Sequence, residues 1–413
     1  MTFTVRDPIH GFIRADELET ALISSRPMQR LRYVRQLGFT YLVFPGAEHS
    51  RFSHVLGAME LAGRVYDRLA DSPEGRALDL PRGPDAHQRR LVRAAALLHD
   101  VGHAPFSHSA ESEFEGEIDH EEMTRLLLDL PDVRDAFARY GKNSQGDELT
   151  VEEVQRLLRG GTDGQQRLLY EVISGELDVD KMDYLLRDTL YCGVRYGSYD
   201  IDRLLETLRP VEIEEESRWG LGIAEGGLHT LEALILARYY MFTQVYYNVT
   251  GKVLELHFAG WLQSEDRRWP QHAEDFLLQD DVSTMAAMRQ SAAADNVHAL
   301  AITERRRYGL AFETLEHLSE EEERAFDDLV ADTEAEFGAD QLLWVKSSKN
   351  PHKLATSGVR VLRGDGSSVL AHEASHFIGG LTRISRCRIY APKHLSRRVR
   401  EMAESRWKEL VSS

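Results

Sequence analysis

The sequence predicts a mainly α-helical protein with a smaller α+β lobe at its C-terminal end. Two observations lead to this prediction. Apolar residues recur at helical spacing through much of the first 337 residues, and strand-like runs separated by Gly-containing turns follow them. A chain of 413 residues can bury a large core, so we expect one large domain and a subdomain.

The N-terminal elements follow from the periodicity of the apolar side chains. Residues 1–20 alternate apolar and polar side chains, which predicts a short β-hairpin. Helical spacing then extends from Glu17 to Gly38. A second helix is predicted over residues 53–69, with a seam of small residues at Gly57 and Gly63.

Helical patterns dominate the middle of the chain. We predict helices over residues 91–98, from His120 onward, and over residues 168–174, 179–190 and 227–258. Residues 141–165 are rich in Gly and charged residues, which predicts a mobile loop.

The tail changes character after about Phe337. Strands are predicted over residues 342–345, 359–362, 369–374 and 386–390, and a last amphipathic helix over 394–410.

The composition excludes several classes of protein. A net charge of −18 argues against nucleic acid as the main partner, because such binding needs a basic surface. There is neither an apolar run of about 18 residues nor a signal-peptide pattern, so we expect no membrane partner. The two cysteines lie far apart in sequence, which indicates a reducing cytoplasm.

The most informative stretch is residues 97–108, where an apolar helical run ends in a His-Asp doublet. His99 and Asp100 point about 100° apart on a helix, so they share a metal only if other residues complete the site. His54 and Asp180 are available for that purpose. Two imidazoles and two carboxylates form a mixed nitrogen–oxygen set that suits Mn, Fe, Ni, Zn or Mg. The alternative is a capped helix end with a hydrogen-bonded His–Asp pair.

The run LLHDVGHAPFSH resembles the signature of the HD-domain phosphohydrolases and, more narrowly, of their deoxynucleoside triphosphate triphosphohydrolase (dNTPase) branch. Further matching blocks are DPIHG at 7–11, QRLRY at 29–33, QLG at 36–38, VFPGA at 43–47, RFSH at 51–54 and DVDKMDY at 178–184. The resemblance implies an HD-domain helical core, predicted over residues 1–262, and an α+β lobe over residues 263–413 that helps to build oligomers.

The resemblance also implies roles for the residues of the site. The implied ligands of a divalent transition metal (Mn, Fe, Ni or Zn) are His54, His99, Asp100 and Asp180, with Mg accompanying the substrate triphosphate. His103 or His120 would protonate the departing 5′-oxygen as a general acid. Glu111, at a position where the family carries an acidic residue, would hold His120 in its charged form.

The implied substrate contacts are Gln36, Leu37, Arg51, His108, Lys181, Tyr184, Asp188, Arg238 and Tyr246. Cationic side chains in this set would bind phosphates. The residues that match the family's sugar contacts suggest selection of deoxyribose. The usual His-Lys pair after the tyrosines is replaced by Asn248 and Val249, so a cationic contact to the distal phosphates is lost.

These assignments predict that the protein converts a dNTP and water to deoxynucleoside and tripolyphosphate. One alternative is an HD phosphohydrolase that acts on other nucleotides or on single-stranded nucleic acid. Another is a nucleotide-sensing protein with a weakly active HD site.

The resemblance implies regulation by a nucleotide activator and assembly into a homo-oligomer, a tetramer or a dimer. Gln29 and Arg32 match residues of the family's regulatory nucleotide site. Ser24 and Phe3 replace the Asp and Lys that read guanine. We therefore predict that guanine-specific activation is altered or absent.

Overall fold

The computed structural model describes residues 3–107, 114–116, 118–160, 164–213, 216, 218–349 and 358–412. The protein is 58% helical, which confirms the mainly α prediction. Among the described residues, the helices are all too short or too polar to cross a membrane.

The α-helices are α1 (Glu17–Ile23), α2 (Arg26–Arg30), α3 (Arg51–Asp71), α4 (Pro73–Ala77), α5 (His87–Leu98), α6 (His120–Leu128), α7 (Pro131–Tyr140), α8 (Val151–Leu158), α9 (Gly164–Ile173), α10 (Val179–Cys192), α11 (Ile201–Thr207), α12 (Leu228–Met241), α13 (Val249–Ser264), α14 (Ala273–Phe276), α15 (Asp281–Ala293), α16 (Val297–Thr303), α17 (Glu320–Phe337), α18 (Ala371–Ala374), α19 (His376–Gly379) and α20 (Ser396–Ser412). The 3-10 turns are Leu31–Tyr33, Gly38–Leu42, Glu225–Gly227 and Ala339–Gln341, and a π-helical turn spans Phe242–Tyr246.

The strands are β1 (Phe3–Asp7), β2 (Gly11–Ala15), β3 (Leu208–Ile213), β4 (Arg218–Ala224), β5 (Gly309–Glu313), β6 (Leu343–Lys349), β7 (Arg360–Leu362), β8 (Ser368–Leu370) and β9 (Ile384–Ala391). β1 and β2 form the predicted N-terminal hairpin. A second sheet has the order β3-β4-β7-β8, with β4 parallel to β7, and a third has the order β5-β9-β6.

The chain forms two compact units. The first contains the described residues of 1–241, 269–281 and 352–380, and the second those of 242–268, 282–351 and 381–413. The predicted boundary at residue 262 stays a prediction.

The first unit is built around α3. This helix packs against α5 and α10, and most of its residues are buried, including His54 in its first turn. In the second unit, the sheet β5-β9-β6 packs against α17 and α20 through residues such as Phe326, Leu329, Ile389 and Val399. The tail strands predicted over 342–345, 359–362 and 386–390 and the last helix are confirmed as β6, β7, β9 and α20. The strand predicted over 369–374 is wrong beyond Leu370, because Ala371–Ala374 form α18, with a hydrogen bond from the Leu370 N–H to the Glu373 side chain at its start.

The predicted continuous helix between Glu17 and Gly38 is wrong, because the chain breaks at Ser24 and Ser25. Pro27 explains the break. Proline has no N–H to bond the carbonyl four residues earlier and its ring clashes there, so α1 cannot continue through Pro27, whereas proline is well suited to the first turn of a new helix, which is where it lies in α2.

Other differences have identifiable causes. Within residues 141–165, predicted as a loop, Thr150 and Glu153 form a capping box that starts α8. The predicted helix over 227–258 is divided by the π-helical turn and by Asn248, whose side chain caps α13. Strands β3, β4 and β5 were not predicted, because their short apolar runs lie between helices and resemble helix segments.

Candidate metal centre and active site

The ends of three helices bring the four predicted metal ligands together. His54 lies in the first turn of α3, and His99 ends α5 with Asp100 directly after it. Asp180 lies in the first turn of α10, which is capped by the side chain of Asp178. Side chains at helix ends project into the space beside the helix, so residues distant in sequence meet there.

The four side chains face one point. His54 Nε2 is 3.0 Å from Asp180 Oδ1 and 3.8 Å from Asp100 Oδ2. His99 Nε2 is 3.3 Å from Asp100 Oδ1 and 3.7 Å from Asp180 Oδ1. His54, His99 and Asp100 each have a ligand atom that lies within 4.8 Å of a ligand atom of the other two.

Hydrogen bonds on the far side of each imidazole orient the two histidines. His99 Nδ1 donates to the carbonyl of Ala96 at 2.8 Å, and His54 Nδ1 donates to Asp183 Oδ2 at 2.8 Å. In the described part of the chain, neither His54 Nε2 nor His99 Nε2 has a hydrogen-bond partner. Two bare, buried imidazole nitrogens beside two carboxylates fit a divalent metal ion.

The charges at this point favour a bound cation. Burial by itself lowers the pKa of His54, but the carboxylates of Asp180 and Asp183 outweigh it and raise that pKa to about 10. Burial raises the pKa of Asp180, but His54 and His99 outweigh it and lower that pKa. The pKa of Asp100 is likewise held well below its usual value, because Arg51, His99 and His103 outweigh the effect of burial. A divalent ion supplies the positive charge that a proton on His54 otherwise provides.

Arg51 lies beside the metal centre and is buried. Its Nη1 forms an ion pair with Asp100 Oδ2, and its Nε donates to Ser107 Oγ at 3.0 Å. Ser107 Oγ in turn donates to the carbonyl of Arg35 at 2.8 Å. The predicted phosphate ligand is therefore fixed in position beside Asp100.

The two predicted general acids lie side by side. The rings of His103 and His120 stack with centroids 4.5 Å apart, and His103 Nε2 is 3.1 Å from Asp100 Oδ1. Gly102 permits this arrangement, because a Cβ atom there would lie 2.1 Å from the carbonyl oxygen of His120. Two further predicted site residues, His108 and Glu111, lie outside the described residues.

Helix α10 presents Lys181, Tyr184 and Asp188 after the predicted metal ligand Asp180. Lys181 forms an ion pair with Asp178. Burial raises the pKa of Tyr184 to about 12 against the opposing charges of Arg238 and Lys181, so these side chains act on each other electrostatically. Arg238 is mostly buried, with Nη1 3.7 Å from a carboxylate oxygen of Glu176.

His49 forms hydrogen bonds with two of the predicted substrate-binding residues, Asp188 and Gln36. Its Nε2 is 2.8 Å from Asp188 Oδ1, and its backbone carbonyl accepts a hydrogen bond from the Gln36 N–H at 3.0 Å. Its ring stacks on Tyr191 with centroids 4.5 Å apart. Gln36 is buried and Leu37 half-buried, and His49 links Gln36 to Asp188 of α10.

Three other predicted residues have contacts of their own or belong to the other unit. Tyr246 belongs to the second unit. Gln29 donates to the carbonyl of Ile23 at 2.7 Å, and Arg32 Nε donates to Gln29 Oε1 at 2.9 Å. The guanidinium of Arg32 also lies 3.6 Å from the ring centroid of Phe52. The regulatory role of Gln29 and Arg32 stays a prediction.

The sequence reasoning missed a buried group behind His54, formed by Asp183, Arg187, His10 and Asp7. Asp183 and Arg187 are four residues apart on α10, a spacing that pairs opposite charges on a helix. That spacing was the available signal, together with the DPIHG block, which had been assigned no role.

Two family models match the chain. The HD domain matches residues 51–188, and the HD associated region matches residues 199–408. The first match contains all four predicted metal ligands, and the second spans half of the chain.

Several known proteins are similar to this chain. The uncharacterized protein YwfO of Bacillus subtilis is 40% identical over 268 residues, which are 63% of this chain and 56% of that protein. Deoxynucleoside triphosphate triphosphohydrolase SAMHD1 of Bos taurus is 33% identical over 236 residues, 51% of this chain and 39% of that protein. The chain thus spans about half or less of the length of these relatives. A crystal structure of a hypothetical protein from Aquifex aeolicus superposes with a TM-score of 0.80 at 29% identity, covering 97% of this chain and 100% of the other.

Proposed function

This chain belongs to the HD-domain family, and we propose that it is a metal-dependent phosphohydrolase that converts dNTPs to deoxynucleoside and tripolyphosphate. One observation carries the proposal. A single helix, α10, places the metal ligand Asp180 in its first turn and presents Lys181, Tyr184 and Asp188 directly after it. A metal centre beside an ammonium, an aromatic ring and a carboxylate suits a substrate that has both phosphates and a sugar.

The metal would be held by His54, His99, Asp100 and Asp180. When bound, such an ion polarises a phosphate oxygen and lowers the pKa of a water near the α-phosphate. The similarity to a SAMHD1 dNTPase supports this chemistry for the chain.

The chain's own residues supply charge and a proton. Arg51, next to Asp100, neutralises the α-phosphate with its guanidinium. His103 or His120 gives a proton to the departing 5′-oxygen; His103 lies against Asp100, and His120 stacks on the His103 ring. Since phosphorus–oxygen cleavage leaves negative charge on that oxygen, a general acid at this position lowers the barrier.

Substrate recognition uses the face of α10 and the residues around it. Lys181 and Arg238 bind the remaining phosphates, exchanging their carboxylate partners Asp178 and Glu176 for phosphate oxygens. Gln36 and Leu37 lie near the sugar 3′-hydroxyl and 2′ position, and Tyr184 together with Asp188, which is held by His49, contributes to the selection of deoxyribose.

A second candidate is hydrolysis of a different nucleotide at the same centre. Asn248 and Val249 stand where the family carries a His-Lys pair, and the Asn248 side chain is occupied in capping α13. A site with fewer cations after the tyrosines favours a substrate with fewer phosphates. The same product assay separates the two candidates.

We further propose that the protein acts as a homo-oligomer in the cytoplasm, with a nucleotide activator that contacts Gln29 and Arg32. Both cysteines, Cys192 and Cys387, are free and buried, which suits a reducing compartment. Sizing with and without dNTPs tests the assembly.

Product analysis by chromatography tests the activity. The purified protein is incubated with each dNTP and each NTP, singly and mixed, in Mn²⁺ or Mg²⁺. Asp180→Ala removes a metal ligand, and Asp202→Ala is the matched control, because Asp202 occupies the same second position in α11 but lies at the surface.

We expect deoxynucleoside and tripolyphosphate from the wild type and from Asp202→Ala, and neither product from Asp180→Ala. Release of monophosphate or of single phosphates supports the second candidate. No product in any mixture, despite bound metal, contradicts both candidates and supports a sensing role.

A further inference from the structure

We propose that Asp183 is a positioning residue for the metal ligand His54 and that the N-terminal hairpin holds it in place through His10, Arg187 and Asp7. The inference rests on the metal site of the proposed function. It assigns to the hairpin β1–β2, the first element of the chain, a part in the metal centre.

Asp183 is fully buried and accepts hydrogen bonds from three residues of this group. Its Oδ2 accepts from His54 Nδ1 at 2.8 Å and from Arg187 Nε at 2.8 Å. Its Oδ1 accepts from His10 Nε2 at 2.7 Å and from Arg187 Nη2 at 2.9 Å. Both oxygens are therefore fully engaged, and the carboxylate cannot rotate without breaking several bonds.

The bond to His54 decides which nitrogen of that ring is available. A carboxylate accepts but does not donate, so His54 Nδ1 must carry a proton, and Nε2, which faces Asp100 and Asp180, is the nitrogen left to bind a metal. The carboxylate also increases the basicity of the imidazole and fixes the plane of its ring. His54 can therefore bind a metal without first changing its tautomer.

The hairpin completes the group from the other side. Arg187 Nη1 donates to Asp7 Oδ2 at 2.8 Å. Asp7 Oδ1 accepts the backbone N–H groups of Ile9 at 2.8 Å and His10 at 3.0 Å, which shapes the turn between β1 and β2. This turn presents the His10 ring to Asp183, so the DPIHG block acquires a physical role.

Helix α3 leaves room for the group at a single residue, Gly57. A Cβ atom there would lie 1.9 Å from Asp183 Oδ1 and 2.4 Å from Arg187 Nη2. Gly57 is three residues after His54, so the same helix face that carries the ligand also admits the carboxylate that orients it.

The test measures metal binding and not turnover. Mn²⁺ is titrated into the metal-free protein by calorimetry, and the visible spectrum of the Co²⁺-loaded protein reports on the geometry around the ion. The variant is Asp183→Asn. Its amide must place an NH₂ group against one of the donors His54, His10 or Arg187, so it either inverts the His54 tautomer or disrupts the group.

The matched control is Glu19→Gln. Glu19 is buried and receives two bonds from Arg93, at 2.6 and 2.9 Å, within the same unit but away from the metal ligands. The substitution Glu19→Gln therefore removes the charge of a buried carboxylate that is paired with an arginine, as Asp183→Asn does. Circular dichroism confirms that each variant is folded.

We expect Asp183→Asn to weaken Mn²⁺ binding by about tenfold or more, as loss of such outer partners typically does, and to alter the Co²⁺ spectrum. Glu19→Gln should bind as the wild type does. A folded Asp183→Asn protein with wild-type affinity and spectrum overturns the inference. So does an equal loss in Glu19→Gln, which would indicate general destabilisation.

If Asp183→Asn does not fold, His10→Ala decides the question, because it keeps Asp183 and Arg187 and removes one donor. A weakened Mn²⁺ affinity supports the inference, and an unchanged affinity overturns it. Failure of the proposed function gives a different result, in which the wild type binds no Mn²⁺ or binds it without hydrolysing any nucleotide.

Discussion

Substitution of Gly57 by Ala tests whether the buried group behind His54 tolerates any displacement. The new Cβ would lie 1.9 Å from Asp183 Oδ1 and 2.8 Å from Asp183 Cγ. Ordinary van der Waals contact begins near 3.4 Å, so the carboxylate has to move by about 1.5 Å or the helix has to shift. Either movement breaks the 2.8 Å bond between Asp183 and His54.

The expected cost can be estimated from the contacts that are lost. Breaking a buried ion pair costs about 3–5 kcal/mol, because a charge is left without its partner. Replacing Gly by Ala inside a helix returns about 1 kcal/mol. The net prediction is a loss of about 2–4 kcal/mol in the free energy of unfolding, together with weaker metal binding.

Gly63→Ala is the control on the same helix. A Cβ at Gly63 would lie 2.8 Å from a guanidinium nitrogen of Arg93 and 3.1 Å from one of Arg89. Arg93 is buried and bonded to Glu19, but it has to shift by only about 0.6 Å, less than half of the shift that Gly57→Ala demands. We expect the stability of Gly63→Ala to stay within about 1 kcal/mol of the wild type, since the helix propensity gain offsets the crowding. Urea unfolding and Mn²⁺ titration compare the two variants. Equal stability and equal metal affinity for Gly57→Ala and Gly63→Ala would refute the reasoning.

Two further predictions concern other buried groups. His257 is fully buried in the second unit, and burial together with His298 and Arg307 lowers its pKa to about 3 from 6.5, so the unfolded chain binds a proton that the fold does not. The contribution of His257 to the free energy of unfolding is therefore fully present above pH 6.5 and falls by about 2 kcal/mol as the pH is lowered to 5. Urea unfolding of the wild type at several pH values should show this loss, and the His257→Gln variant should lack it. Asp281 accepts the N–H groups of Phe106 at 2.8 Å and Arg35 at 3.0 Å with separate oxygens, and Phe106 has a left-handed backbone (φ 57°). Asp281→Asn turns an NH₂ group against one of these donors, so we expect thermal unfolding to show a loss of about 1–3 kcal/mol in stability. We also expect a lower kcat. An unchanged stability and an unchanged kcat would contradict the role of Asp281 in holding these two backbone N–H groups.

The sequence determined the helical class, most helix positions in the first 200 residues and the identity of the groups that converge at the candidate metal centre. The reason is local. The helix that holds His54 has its own apolar face, and the doublet His99–Asp100 ends a helix by a pattern that needs no distant residue. The resemblance to the HD-domain family then supplied the remaining ligand, Asp180, which periodicity alone could not select.

The tertiary structure decided which partners stand behind those ligands. The DPIHG block marks Asp7 and His10 as unusual but does not say that the hairpin meets Asp183 more than 170 residues later, and the bond between His10 and Asp183 is 2.7 Å long. The sheet that contains β3 and β4 shows the same limit, because these two strands pair with each other locally but β7 joins β4 from a distant part of the chain. Hydrogen bonds and buried charges act over a few ångströms in space irrespective of separation along the chain, so a local pattern shows that a side chain needs a partner but only the folded chain identifies which one it has.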